Sequence, residues 1–302
     1  MSRSYKATGI NLKSMPFGET DRLLTVLTIE QGLIRVIAPG ARKHKSRLAG
    51  RSSQFVVNEL FIVQGKQLDK LVQAETVRSF PGLASDLARL TASQYLAELV
   101  LCQALSEQPQ GELFALLIEH LQRLEQTTGD SLLASLTQGI FHLLALAGLA
   151  PEVKQCSLSQ VAIVPDLTQA DWRVGFSPTA GGIVSMGQLG NCPVPAAKGR
   201  IPEERYSVRE EGRSTGIYGR SSNQPGTTLI TALELVLLQQ LGQPKLIASQ
   251  PVAGLAASSE QTRYLWQRIE LLLRQYAQYH FDRPIRSATL IDACFSTTVT
   301  SK

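Results

Sequence analysis

The first 80 residues alternate short β-type segments with turn residues, and this pattern constrains the fold more than any other feature. Residues 21–30 and 33–38 are rich in Leu, Thr and β-branched residues, and Gln31-Gly32 turns the chain between them. Five strands are predicted in all, at 5–15, 21–30, 33–38, 55–63 and 68–77. Five short strands in so short a stretch suit a small barrel. We therefore predict an OB-fold, the five-stranded barrel whose face and loops bind oligonucleotides.

The hydrophobic period changes after Pro81-Gly82. Ser85 or Asp86 can cap a helix in which apolar residues fall close to a 3.6-residue stripe as far as Val100. Further helices are predicted at 112–126, 131–147, 227–241 and about 259–279. The predicted fold is therefore α+β, with an N-terminal OB-fold barrel in residues 1–80 and a helical domain in residues 81–302.

Residues 151–226 interrupt the helical pattern, because they hold 7 of the 14 prolines and 10 of the 23 glycines. Trp172, Val174 and Phe176 alternate, and Ala180-Gly181-Gly182 is typical of a turn into Ile183-Val184. We expect a small hairpin here, followed by a loop to about residue 227.

The cysteines and the apolar runs indicate the cellular compartment in which the protein works. Cys102, Cys156, Cys192 and Cys294 form no C-x-x-C pair, which favours a reducing compartment without a disulfide framework. No apolar run approaches the roughly 18 residues of a membrane span, and the start has no signal-peptide pattern. We expect a cytoplasmic protein with no membrane partner.

Positive charge is concentrated in the predicted barrel. The net charge of the chain is +5, yet residues 1–80 alone hold 13 Lys and Arg against 6 Asp and Glu. Such clustering suggests a polyanion partner, although a basic loop that is merely solvated is the alternative. The cations of residues 35–51, where no acid occurs, are the candidate nucleic-acid-binding residues: Arg35, Arg42, Lys43, Lys45, Arg47 and Arg51.

Catalytic motifs are weak. Residues 212–216, Gly-Arg-Ser-Thr-Gly, match the G-x-S-x-G nucleophile elbow around Ser214, but they lie in a Gly/Pro-rich loop and not between a strand and a helix. The four histidines share no ligand spacing, and there is no phosphate-binding glycine loop. We predict no enzyme activity and no cofactor, with a serine hydrolase as the remote alternative.

Several segments, in order and in spacing, resemble the bacterial DNA repair protein RecO family. They are FGETDRLLT at 17–25, EQGLI at 30–34, PGARKHKSR at 39–47, LDKLVQAE at 68–75, YLAEL at 95–99 and RPIRS at 283–287. The similarity is dense over residues 5–105 and sparse afterwards.

The resemblance implies a recombination mediator of DNA repair, with an OB-fold, a helical domain and a zinc-finger-like insertion. Proteins of this type bind single- and double-stranded DNA and anneal complementary strands. They contact the C-terminal tail of single-stranded-DNA-binding protein (SSB), and with RecR they help RecA to load onto SSB-coated DNA. An RNA-binding OB-fold protein of ribosome or tRNA biology is the alternative.

The sequence departs from this family at the zinc-finger-like insertion. The family pattern is C-x-x-C followed by G-G-x-x-C-x-x-C, but only Cys156 fits it, and Ser159, Ser185 and Gln188 occupy the other three places. Cys192 lies outside the register. Ser and Gln oxygens do not replace the Cys or His ligands of a structural zinc site, so we predict no metal. Packing around the aromatic residues of the insertion would then hold it together.

Two further expectations concern side chains outside the basic run. Aromatic residues before residue 81 are few (Tyr5, Phe17, Phe55, Phe61 and Phe80), and most are expected in the core, with Phe17-Gly18-Glu19 forming a structural turn. An acidic peptide partner would require an apolar groove with a basic rim in the helical domain. Candidates for that rim, unless they are only solvated, are Arg89, Arg123, Arg263, Arg268 and Arg274.

Overall fold

A computed structural model describes residues 4–193, 226–244 and 259–295 of the chain. Five strands close into a barrel in the order β1-β2-β3-β5-β4. This confirms the predicted fold class of an OB-like barrel followed by helices. The strands are β1 Ser4–Phe17, β2 Asp21–Thr28, β3 Gly32–Ala38, β4 Val57–Val63 and β5 Asp69–Arg78.

Alternating burial explains why these segments form a barrel. Along β2 the side chains of Leu24 and Val26 are fully buried, and Val36, Leu60 and Ile62 meet them from other strands. The β1 strand pairs with β2 over one half and with β4 over the other, which closes the sheet. A register shift between Asn11 and Lys13 changes which side chains of β1 point outward.

One end of the barrel packs against the helices. Ile10 and Leu27 belong to the same hydrophobic cluster as the helical core. Gly32, between β2 and β3, has φ +65, and a Cβ there would lie 2.1 Å from the carbonyl oxygen of Leu105. The Leu33 N–H donates to that same carbonyl at 2.8 Å. Only glycine allows this close approach of the turn to the chain that follows the first helix.

Six helices make up the second part of the described chain. Asp86 caps the first, accepting hydrogen bonds from the backbone N–H groups of Ala88 and Arg89, as one of the two predicted caps. The last helix was not predicted from the sequence. The helices are α1 Leu87–Gln103, α2 Gly111–Gln126, α3 Asp130–Leu146, α4 Ala232–Gln240, α5 Ser259–Phe281 and α6 Ala288–Phe295, and short 3-10 helices occur at Pro81–Ser85 and Met186–Asn191.

The insertion forms a three-stranded sheet in the order β7-β6-β8, with β6 at Arg173–Ser177, β7 at Gly182–Val184 and β8 at Thr228–Thr231. The predicted hairpin is therefore present, but the helix predicted over 227–241 was wrong in its first turn. Residues 228–231 pair with β6, and the helix begins only after Thr231, which forms a capping box with Glu234. Phe176 is buried and lies 5.8 Å from Tyr276 of α5, measured between ring centroids.

Candidate nucleic-acid interface

The hairpin between β1 and β2 has a tight tip at residues 18–20, where Gly18 adopts φ +60. Arg42, from the loop that follows β3, holds this tip. Its backbone N–H donates to the Thr20 carbonyl at 2.8 Å. Its Nη1 donates to the carbonyls of Gly18 and Glu19, both at 3.2 Å. One of the predicted DNA-binding arginines therefore also has a structural task.

Residues 39–51, named here the basic segment, follow β3 as a series of turns. The N–H of Lys43 donates to the carbonyl of Gly40 at 3.0 Å, and the N–H of Ser46 donates to the carbonyl of Lys43 at 3.1 Å. Ala41 is buried, and Leu48 packs against the barrel core. The apolar side chains thus fix the segment to the barrel while the charged ones face solvent. The exposed cations are Arg42, Lys43, Lys45 and Arg47.

Arg51 lies at the inner end of the basic segment and is half-buried. Its backbone carbonyl accepts hydrogen bonds from Nδ2 of Asn11 at 2.7 Å and Nδ2 of Asn58 at 2.9 Å. These two buried amides come from β1 and β4. They hold the chain where it re-enters the barrel, so Arg51 is the least accessible of the six predicted residues.

The exposed outer side of β1, β2 and β3, together with Lys70 at the start of β5, is named here the strand face, and it adds further cations. Lys13 pairs with Thr25, and Thr25 pairs with Arg35 in the next strand. Residues directly opposite each other in antiparallel strands project to the same side of the sheet. Lys13 and Arg35 are both exposed and are separated by two strand spacings, about 10 Å. The predicted residue Arg35 therefore lies beside a second cation.

Lys70 completes the strand face from β5. It is the register partner of Ile37 in the parallel pairing of β3 with β5, and it is exposed. Sequence reasoning missed Lys13 and Lys70, because they are 22 and 35 residues from Arg35 in the chain. No local pattern signals their proximity, which depends on the register shift in β1 and on barrel closure.

The exposed Glu19 lies at the hairpin tip, and a second acid, Asp21, lies among these cations. Its Oδ1 accepts a hydrogen bond from the backbone N–H of Gly40 at 2.7 Å, which is the main reason that its pKa is lowered. The Thr20 hydroxyl, and the charges of Lys43 and Lys70, lower the pKa of Asp21 further. Asp21 thus ties the hairpin to the basic segment and stays ionised beside Lys43 and Lys70.

The aromatic residues of the barrel divide between core and surface. Phe55 and Phe80 are buried, as predicted. The Tyr5 hydroxyl donates to Asp69 at 2.6 Å, and burial and this carboxylate raise the pKa of Tyr5. Phe17 differs from Phe55 and Phe80, because its side chain is 40% exposed at the end of β1.

Negative charge gathers on a different side of the barrel. Glu59 of β4 and Glu75 of β5 are directly opposed in the sheet, and both line a shallow cleft with Glu30, Lys6 and Phe61. Like charges in opposed positions repel each other. The barrel therefore has an acidic side distinct from the strand face and the basic segment, and a polyanion would approach the latter.

The residues of the insertion do not fit a zinc site. Cys156 is buried, and its sulfur accepts a hydrogen bond from the backbone N–H of Ser185 at 3.3 Å. Burial opposes ionisation of this thiol, but hydrogen bonds from Ser159, Ser185 and Leu158 lower its pKa to about 6. Within residues 4–193, 226–244 and 259–295, no three His, Cys, Asp or Glu side chains are grouped as metal ligands. A thiol whose partners are hydroxyl and amide groups lacks the soft donors that zinc needs.

The candidate rim arginines Arg89, Arg123, Arg268 and Arg274 have partners within the fold. Arg89 donates to the carbonyl of Thr127 at 2.9 Å. Arg123 donates to Gln138 at 3.1 Å. Arg268 and Arg274 form salt bridges with Glu234 and Glu270, at 2.9 and 2.5 Å. These arginines join elements of the fold.

The segment around Ser214 and the lengths of the helices bear on the two remaining predictions. The segment 212–216 with Ser214 lies outside the residues that the structure describes, as does most of the loop predicted before residue 227. No helix in the described part is both long and apolar enough to cross a membrane.

Comparison with known proteins gives consistent matches over nearly the whole chain. The family profile "Recombination protein O N terminal" matches residues 1–80, and "Recombination protein O C terminal" matches residues 84–193. A "DNA repair protein RecO" from Nostoc sp. is 50% identical, with 98% of each chain covered. That from Gloeothece citriformis is 50% identical over 97% of this chain and 98% of its own. The one from Synechococcus elongatus is 44% identical over 97% and 96%.

Proposed function

This chain belongs to the RecO family of DNA repair proteins, and from that premise we propose that it is a DNA-binding recombination mediator. It binds single- and double-stranded DNA through the basic segment and the strand face. It anneals complementary strands and, with RecR, helps RecA to load onto SSB-coated DNA. It acts on the chromosome in the cytoplasm and needs neither a catalytic residue nor a cofactor.

The separation of charge on the barrel is the observation that supports this proposal most directly. In the part of the chain that the structure describes, Arg35, Lys45 and Arg47 form no salt bridge. All three are exposed on β3 and the loop that follows it, whereas Glu59 and Glu75 are paired on β4 and β5. Cations without a carboxylate partner attract phosphates, and the counterions released from DNA supply the free energy of binding.

Annealing follows from the same electrostatics. Two complementary strands repel each other through their phosphates, and a surface that neutralises both lowers this barrier. Contacts with phosphates carry no base information, so such a surface accepts any sequence. In this proposal RecR and the acidic SSB tail bind outside the strand face, so that DNA and a protein partner can bind at the same time.

The test is fluorescence anisotropy with labelled single-stranded DNA across a salt series. The quadruple variant R42A/K43A/K45A/R47A should bind at least tenfold more weakly at low salt. Its slope of log K against log salt should be shallower by about three units, since each phosphate contact contributes about 0.7 on single strands. A wild-type protein that binds no DNA at low salt would contradict the proposal.

A matched variant distinguishes the effect of where the cations lie from the effect of the protein's net charge. Lys154, Arg173, Arg283 and Arg286 are exposed and lie outside the barrel. The variant K154A/R173A/R283A/R286A removes the same charge and should keep the wild-type salt slope. If the two quadruple variants lose affinity equally, the DNA site is not on the barrel. A structured RNA of equal length serves as a further ligand, and a strong preference for it would favour the RNA-binding alternative.

A further inference from the structure

Two large apolar side chains are exposed where the strand face meets the hairpin tip. Met15 is 38% exposed and Phe17 is 40% exposed. They lie two residues apart on β1, beyond its register shift, so they share one side of the sheet with Lys13. Neither side chain belongs to the described hydrophobic clusters of the molecule. The fold therefore places an aromatic ring at the surface without a packing requirement for it.

The backbone beneath Phe17 is held firmly. Phe17 pairs with Asp21 at the end of the β1–β2 ladder, and the Asp21 carboxylate is bound by the N–H of Gly40. The guanidinium of Arg42 holds the two carbonyls that follow Phe17 in the chain. An aromatic ring on a fixed backbone loses little conformational entropy on binding, which is the requirement for a stacking surface.

The charges around this ring indicate what covers it. Lys13 and Arg35 lie on the same side of the barrel, and Lys43 is close enough to Asp21 to lower the pKa of that acid. Two acids also lie near the ring, namely Asp21, the register partner of Phe17, and the exposed Glu19. The exposed cations Lys13, Arg35, Arg42 and Lys43 outnumber them. A ligand that meets an aromatic ring in surroundings with this positive excess carries both flat apolar surfaces and negative charge. Single-stranded DNA has this combination, since unpaired bases expose their faces beside the phosphates.

We propose that Phe17, with Met15 beside it, is a stacking surface for unpaired bases of single-stranded DNA. This inference rests on the proposed function, because the basic segment must first hold the phosphates. In a duplex each base is already stacked between its neighbours, so stacking on Phe17 adds no free energy to the binding of double-stranded DNA. Phe17 thereby makes the interface prefer single strands, a distinction that cations alone do not provide.

The experiment measures the affinity of F17A for three labelled ligands of equal length. They are an oligothymidylate, an oligonucleotide of abasic sites and a duplex. Loss of one stacked base should weaken oligothymidylate binding by roughly five- to a hundredfold. Binding of the abasic strand and the duplex should stay within twofold of wild type. The salt slope should not change, because no charge is removed.

Two controls keep the result specific. Tyr264 is 60% exposed on α5, far along the chain from the barrel, and Y264A should leave all three affinities unchanged. F17W should restore oligothymidylate binding, because indole also stacks on bases. A folded F17A that binds all three ligands like wild type, or that loses all three equally, would overturn the inference. Either result leaves the proposed function standing if wild type still binds with a steep salt slope.

Discussion

Arg35 and Arg47 of the barrel have surroundings opposite to those of Arg274 in the helical domain. Arg35 and Arg47 are exposed and form no salt bridge within the described residues. Arg274 is 8% exposed and donates to both Glu270 and Asp292. The same residue type therefore stabilises the fold in one region and remains free to bind a ligand in the other. Local partners, and not the number of cations, decide which task an arginine has.

Part of this difference is visible in the sequence. Glu119 and Arg123 lie four residues apart on α2, as Glu270 and Arg274 do on α5. Such spacing places opposite charges next to each other on a helix. The basic run at 35–51 contains no acid at all. A cation that lacks an acid at helical spacing is thus a better candidate for ligand binding than one that has it.

Substitution of one arginine from each region tests this comparison most strongly. Arg274→Ala leaves the carboxylate of Glu270, which is 2% exposed, buried without its main partner. The free energy of unfolding should fall by about 3–5 kcal/mol. Arg47→Ala should change it by less than about 0.5 kcal/mol, since its side chain is exposed. Urea denaturation of both variants provides the measurement.

A double variant decides whether the charge or the packing of Arg274 matters. Arg274→Met with Glu270→Leu removes both buried charges and keeps apolar volume, so most of the lost stability should return. If Arg274→Ala were as harmless as Arg47→Ala, the contrast between the two regions would not hold. The DNA affinity at low salt should follow the reverse order, with Arg47→Ala weaker than the R274M/E270L variant.

Acid should destabilise the helical domain through a histidine pair. Nε2 of His120 lies 3.1 Å from Nδ1 of His142, between α2 and α3. Burial, and then the charges of His142 and Arg123, lower the pKa of His120 to about 3. Burial also lowers the pKa of His142. Backbone hydrogen bonds at Leu241 and Gln243 and the charge of Glu119 raise it in part.

The sign of the effect follows from these directions. Above pH 6.5 both imidazoles are neutral in the folded and unfolded chain, so they contribute no pH dependence. Below pH 6.5, His120 binds a proton in the unfolded chain but not in the folded one. The free energy of unfolding therefore falls until the pH nears 3. His120 alone should remove about 2 kcal/mol between pH 6.5 and pH 5.

Tryptophan fluorescence follows this unfolding outside the barrel, because Trp172 and Trp266 are the two tryptophans of the chain and both lie beyond residue 80. His120→Gln should flatten the pH dependence of the urea midpoint. His44→Gln, in the exposed basic segment, keeps the histidine pair and should retain the wild-type dependence. A pH dependence that His120→Gln leaves unchanged would place the acid-sensitive group elsewhere.

Within the basic segment, Arg42→Ala and Arg47→Ala should also differ in the free energy of unfolding. The difference should be smaller than that between Arg274→Ala and Arg47→Ala. The Arg42 guanidinium donates to the carbonyls of Gly18 and Glu19, whereas the exposed Arg47 forms no salt bridge within the described residues. Arg42→Ala should therefore cost about 0.5–1.5 kcal/mol of stability in addition to its phosphate contact. Arg47→Ala should reduce only the salt slope, by about 0.7. Equal stability of the two variants in urea would remove the structural task assigned to Arg42.

The barrel was predictable because its strands alternate and its turns contain glycine, and both signals are local. The missed elements are those with competing signals. Residues 228–231 resemble the start of a helix, and only pairing with β6 makes them a strand. The Thr231–Glu234 capping box was present in the sequence and marks the true start of α4.

The interface was predictable where its residues are close in sequence. Lys43, Lys45 and Arg47 are exposed in a series of turns that Ala41 and Leu48 anchor to the barrel. Lys13, Lys70 and Phe17 were not predicted as site residues, because their position depends on strand register. A one-residue change of register sends a side chain to the other side of a sheet, and the shift in β1 does this for Lys13.

The smallest expected effect comes from Asp21, the acid of the interface that accepts the Gly40 N–H. Asp21→Asn keeps an oxygen that can accept the Gly40 N–H, so the hairpin tip should stay in place. It removes a negative charge beside Lys43 and Lys70, and affinity for single-stranded DNA should rise about two- to fivefold at low salt. Glu75→Gln makes the same charge change on the acidic side of the barrel and should have less effect, because ions screen the longer distance to the DNA. If both variants bind DNA with equal affinity, the strand face and the acidic side are not electrostatically distinct, and the net charge of the barrel alone would account for binding.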